Sequence, residues 1–152
     1  MAYHGVELQN SITIGKIFSI HYFEYMSNFS FAGESHNFWE FICVDKGEVG
    51  VTRGKSYTIL KKGDLIFHKP NEFHDVKATG GIAPNLVVIS FECNDDAMYF
   101  FNDRLLQIDE TERNLLANII IEARRCFDCR LDDPYLQNMP LKDPDTFGAQ
   151  QM

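Results

Sequence analysis

The chain has 152 residues, 45% of them hydrophobic with thirteen phenylalanines, and a net charge of −8. That length buries one core, and that composition excludes a disordered chain. An acidic surface repels phosphate backbones, so no direct nucleic-acid contact is expected of this chain. No apolar run reaches the roughly 20 residues that span a bilayer. The start, MAYHGVELQN, lacks the basic and apolar regions of a secretory signal. A cytoplasmic location without a membrane partner is the resulting expectation.

The first two-thirds read as β structure. KIFSIHYFEY (16–25) is rich in aromatic and β-branched residues, which favour strands. SNFSFAGES (27–35) reads as a looser stretch, and FWEFICV (38–44) as a strand. EVGVT (48–52) and SYTIL (56–60) flank Arg53-Gly54-Lys55, a hairpin signal. LIFHK (65–69) follows the turn Lys61-Lys62-Gly63-Asp64. HDVKA (74–78) and NLVVISFEC (85–93) complete the set, with Gly80, Gly81 and Pro84 between them. Short strands at this spacing, without intervening helices, predict a sandwich or small barrel rather than a parallel sheet.

The last third changes character. DDAMYFFND (95–103) predicts a short helix and DETERNLLANIIIEARRCF (109–127) a longer one, with Asp109 as N-cap and Glu112 completing a capping box. Leu115, Leu116, Ile119, Ile120, Ala123 and Phe127 form one apolar stripe expected to pack on the barrel. The tail from Leu131 to Met152 carries three prolines and little periodicity, and reads as a connector. Cys126-x-x-Cys129 has no second pair to complete a zinc site, and Cys43 and Cys93 lie in apolar runs, so no disulfide or metal role is expected of the cysteines.

Polar residues inside apolar strands mark the candidate site. Phe38, Glu40, Ile42 and Val44 share one face of a strand, and Trp39, Phe41 and Cys43 the other. Both faces are apolar, so Glu40 is expected to be buried and to need partners. His68 shares the parity of Ile66 and is expected on the inner side, in reach of a ligand or of Glu40. Phe18 and Tyr22, alternating with Ile20, are candidates for an aromatic wall. A ligand-binding set of His36, Phe38, Glu40, His68, His74, Phe18 and Tyr22 follows. Their structural alternative is satisfied core histidines and a carboxylate bound to a neighbouring strand. No Ser/His/Asp or Cys/His arrangement is visible, and no enzyme is expected.

The order His36, Trp39-Glu40, Gly47, Gly63-Asp64, Pro70 and His74, followed by NLVVISFEC, resembles the N-terminal sensor domain of AraC-type transcriptional regulators. The resemblance covers most of residues 10–130. It implies a mostly β fold: a cupin-like antiparallel β-barrel (double-stranded β-helix) over residues 1–94, followed by C-terminal α-helices. Residues 95–131 would be a helical segment packing on the barrel, and 132–152 a connector towards a helix-turn-helix domain absent here. The implied function is ligand sensing and dimerisation: a small-molecule effector, a sugar among the candidates, controls attached DNA-binding units in a homodimer. Metal-dependent cupins resemble the sequence too. Their ligand spacing corresponds to Glu34, His36, Glu40 and His74, but the first position is Glu34 where they carry His. The expectation is therefore no metal and no cofactor, with a metal-dependent cupin enzyme and a stand-alone carbohydrate-binding module as alternatives.

Overall fold

The computed structural model describes residues 1–25, 27–79 and 81–143. Among these residues nine antiparallel strands form two sheets. The first has the order β1 (Lys16–Glu24), β8 (Asn85–Glu92), β3 (Trp39–Lys46), β6 (Asp64–His68) and β9 (Leu105–Gln107). The second has the order β2 (Ser30–Glu34), β7 (His74–Ala78), β4 (Glu48–Arg53) and β5 (Ser56–Lys61). The protein is mostly β, a cupin-like barrel with a C-terminal helix, as the sequence predicts.

Side-chain alternation divides the first sheet between two cores. Ile42 and Val44 of β3, Ile66 of β6, and Leu86 and Val88 of β8 point inward. There they meet Val49, Val51, Leu60 and Val76 of the second sheet. Trp39, Cys43, Leu65, Val87, Ile89 and Phe91 point outward and are covered by Met98, Ile120, Ala123 and Leu131. The first sheet is thus buried on both faces, which explains why its strands read as nearly continuous apolar runs.

The covering helix α1 (Glu110–Cys126) starts where its capping residues require. Asp109 accepts from the Thr111 and Glu112 backbone N–H groups, and Glu112 accepts from the Asp109 N–H in return. Ile119, Ile120 and Ala123 pack on the sheet, whereas Leu115 is 58% exposed and stands outside the expected stripe.

The structure corrects one local expectation and adds detail to two others. Residues 30–34 form β2 rather than a loose segment. The sequence conceals this strand because it is short, lies at a sheet edge, and contains Gly33 at φ +96° beside a register shift. The short helix expected within 95–103 forms, as a 3₁₀ helix at Asp96–Phe101. Met98 N–H donates to the Asp95 carbonyl three residues back, and the Asp95 side chain makes no cap. After α1 the chain doubles back. Phe127 bridges Leu141, and Lys142 N–H donates to the Cys126 carbonyl, closing a loop over 127–141. The connector's last residues, 144–152, lie outside the described residues.

Burial fixes the energetic weight of the interior. Leu86→Ala should lower unfolding free energy by about 2–5 kcal/mol through lost transfer energy and the cavity left behind. Ile121→Ala, on the exposed side of α1, should stay within about 0.5 kcal/mol. Urea unfolding of both variants measures the difference.

Candidate functional site

The inner end of the barrel holds a cavity of about 380 Å³ walled by both sheets and by Pro134 to Gln137. Its polar centre is Glu40, the second residue of β3 and 7% exposed. Register places Glu40 beside Ser90 of β8 and His68 of β6. The Ser90 hydroxyl donates to Glu40 Oε2 at 2.7 Å, and the Ser19 hydroxyl donates to Ser90 at 2.9 Å. The order is forced, because an ionised carboxylate only accepts and Ser90 has then spent its proton.

Two imidazoles approach Glu40 from the second sheet and its adjoining loop. His74 opens β7 and is 3% exposed, with Nε2 at 3.2 Å from Glu40 Oε1; His36 Nε2 lies at 3.5 Å from Oε2. Both contacts are at ion-pair distance but off the hydrogen-bond direction, so neither Nε2 has a hydrogen-bond partner. The opposite ring atoms are anchored. His36 Nδ1 meets the Phe38 carbonyl and His74 Nδ1 the Glu72 carbonyl, each at 3.0 Å. A carbonyl can only accept, so Nδ1 carries the proton in both rings; at His74, Nε2 then faces the Glu40 carboxylate best as an N–H of the protonated ring. Burial would raise the Glu40 pKa, but the two imidazoles and Ser90 more than offset it and hold the carboxyl well below the usual range. Burial would lower His74, and the Glu40 carboxylate outweighs it, so His74 is raised.

Backbone shape places these groups. Gly33 leaves room that a Cβ would take from the Phe73 ring and the His74 carbonyl, and this lets Glu34 pair with His74 across the strands. Asn71 N–H donates to the His36 carbonyl at 2.6 Å, tying the loop before β7 to the loop before β3.

The structure brings Phe18, His36, Phe38, Glu40 and His74 of the expected set to the cavity wall. Phe38 stacks between Phe18, at 4.1 Å, and His36, at 3.8 Å. Tyr22 does not belong to the wall. A register irregularity between Ile17 and Ser19 shifts the parity of β1, so Phe18, Ser19, His21 and Phe23 reach the cavity. Ile20 and Tyr22 face outward to the helix-covered core. His68 is inward and fully buried, yet it lies behind His74, stacked at 4.2 Å and 12°, and does not line the cavity. Its expected pairing with Glu40 is not formed, and both its ring nitrogens lack hydrogen-bond partners. Sequence reasoning missed Ser19, Ser90 and His21. Their signal is a polar residue within an apolar run, the same signal that singled out Glu40.

The donor groups of Glu34, His36, Glu40 and His74 lie within 4.8 Å of one another. Two carboxylates and two imidazoles suit a first-row divalent ion. The carbonyl-anchored Nδ1 atoms orient ligating imidazoles in the usual way, and the unpartnered Nε2 atoms satisfy the same requirement. The residues fit such an ion, which would supply Lewis acidity at the cavity floor.

Burial drives the His68 pKa down to about 3, with His74 adding to the effect. Between that value and 6.5, the unfolded chain binds a proton that the folded chain does not, so stability falls as pH falls through this window. Going from pH 7 to pH 5 should cost up to about 2 kcal/mol from this group alone. Glu40, whose folded pKa is depressed, loses its contribution progressively as pH falls below the ordinary carboxylate pKa. Urea midpoints at the two pH values should therefore differ more in wild type than in His68→Phe.

Against known proteins, the family model of AraC-like ligand binding domains matches residues 18–100. No curated protein matches. Similar solved structures include the cupin domain of Cnp3 from Schizosaccharomyces pombe, at 14% identity over 52% of each chain with a TM-score of 0.43. Another is a cupin 2 conserved barrel domain protein from Rhodopseudomonas palustris, at 18% identity over 64% of this chain and 66% of that one, TM-score 0.43. A third is a salicylate 1,2-dioxygenase from Pseudoaminobacter salicylatoxidans, at 16% identity over 60% of this chain and 24% of that one, TM-score 0.40. The chain spans about half the length of the first and about a quarter of the third. No described helix is long and apolar enough to cross a membrane.

Proposed function

The chain belongs to the family of AraC-like ligand binding domains, and from that premise we propose that its barrel receives a small-molecule effector and passes the occupancy to an attached DNA-binding module. The observation that carries this reading is the cavity itself. Its walls combine aromatic and aliphatic side chains with polar groups gathered around Glu40, a composition suited to a polar small molecule. A sugar or similar polyol is one candidate, since its hydroxyl protons would meet carboxylate and imidazole acceptors.

Transmission is supported by what closes the cavity. The wall from Pro134 to Gln137 belongs to the loop after α1, tethered by Tyr22 N–H donating to the Leu131 carbonyl at 3.1 Å and bridged at its ends by Phe127 and Leu141. A ligand touching this wall differs in affinity between arrangements of the loop, and that difference is what shifts a population. The exposed Leu115 and Ile121 of α1 support a homodimer built through that helix. The reading makes the protein a receptor, not a catalyst.

A second reading, a metal-dependent cupin enzyme, is favoured by one observation: four donor groups converge with both Nε2 atoms unpartnered. Elemental analysis of protein purified without chelator separates the two. Stoichiometric iron, manganese, nickel or zinc that disappears in His36→Ala would favour the enzyme.

The sensor reading is tested by thermal-shift screening of sugars and related metabolites. A cognate compound at 100 times its Kd should add about 2.7 kcal/mol of apparent stability. Glu40→Ala should abolish the shift, and an unchanged shift in that variant would remove the effector from this cavity.

A further inference from the structure

Independently of the barrel cavity, we propose a second ligand site on the outer face of the first sheet, one that takes an organic anion. The carboxylate of this ligand sits at Arg124, and its apolar body lies in the groove between α1 and the strands. The groove has a volume of about 840 Å³ and shares no lining residue with the barrel cavity.

Helix spacing builds the groove. Arg113, Ala117, Ile120 and Arg124 line it from one face of α1, at successive steps of four, three and four residues. The two arginines stand about 16 Å apart along the helix axis, and the single methyl group of Ala117 between them leaves the space open. Opposite them lie Cys43 of β3, Val87 of β8 and Ile108, which make an apolar floor. Burial pushes the Cys43 thiol up to about 12, the mark of a floor kept from water.

The polar groups of the groove divide into spent acceptors and unspent donors. Asp45 Oδ1 accepts from Arg113 Nε at 2.8 Å, with Arg113 Nη2 at 2.7 Å, and Asp45 Oδ2 accepts from the Tyr22 hydroxyl at 3.2 Å. The Asp109 carboxylate is taken by the Thr111 and Glu112 N–H groups at the helix cap. Glu110, the remaining acidic residue of the lining, stands at the opposite end of α1 from Arg124. Arg124 makes no ion pair among the described residues, and its guanidinium lies 5.9 Å from the centre of the Tyr22 ring. Lys142 Nζ donates to the Arg124 carbonyl at 2.7 Å. A second cation thus stands at this end and covers a helix-terminal carbonyl that would repel an anion.

This arrangement selects the class of guest. A cation finds the acceptors near Arg124 taken and two cations facing it. A sugar brings hydroxyls that Cys43, Val87 and Ile108 leave unbonded, at a cost. A bare inorganic anion meets the charge but leaves the floor and most of the volume unused. A carboxylate on an apolar body uses both, and its paired oxygens match the two-pronged guanidinium.

Isothermal titration calorimetry on the full chain tests this with four probes: phenylbutanoate, phenylbutanol, phenylbutylamine and acetate. Phenylbutanoate should bind tightest, with the alcohol and acetate at least tenfold weaker and the amine not binding. Arg124→Gln should weaken phenylbutanoate at least tenfold. Ala117→Trp, at an exposed position, fills the groove and should abolish binding, with the urea midpoint reporting that the fold is kept. Phenylbutanoate affinity unchanged in both variants assigns the anion to another place and overturns the inference. Equal binding of acid and alcohol overturns it too, and so does the absence of binding by any probe at millimolar concentration. None of these failures touches the sensor reading, whose own test is the loss of a thermal shift in Glu40→Ala.

Discussion

A carboxylate inside a β barrel costs several kcal/mol unless its charge and lone pairs are met, and Glu40 sets that constraint for everything around it. β8 supplies Ser90 in register, β7 supplies His74, and the loop before β3 supplies His36. These partners come from both sheets, so compensating one charge also fixes how the sheets face each other at that end of the barrel. The opposite end needs no such device, because the apolar side chains of Val49, Val51, Leu60 and Leu86 pack together there. One interior is therefore divided into a solid half and a hollow half.

Strand parity made much of this legible in advance. On β3 the alternation of Glu40, Ile42 and Val44 against Trp39 and Cys43 holds from residue to residue, because the strand is regular from Trp39 to Val44. The capping box at Asp109 and Glu112 is equally local, since its parts lie within four residues, and it forms as written. The order of the loose motifs from His36 to His74 carried the family, which no single motif could.

What stayed hidden depends on irregular backbone or on distant partners. The shift between Ile17 and Ser19 reverses the parity of β1 and exchanges Tyr22 for His21 at the cavity. A one-residue irregularity has no signature in KIFSIHYFEY, where aromatic and β-branched side chains occur at both parities. His68 was placed on the correct face, but whether a face position meets the cavity or the packing behind it depends on His74, six residues along and on the other sheet. The wall from Pro134 to Gln137 is a loop whose course is set by contacts at Leu131 and Leu141, and proline-rich composition alone says nothing about where such a loop lies.

The tautomers of His36 and His74 are held by main-chain carbonyls at Phe38 and Glu72. The polarity of the cavity floor is consequently written into the path of the backbone rather than into neighbouring side chains. Drift in the surrounding sequence can reshape the walls and retune which molecule fits, while both rings keep their orientation. Turning the two rings over would require rerouting the chain at 36–38 and 72–74 together.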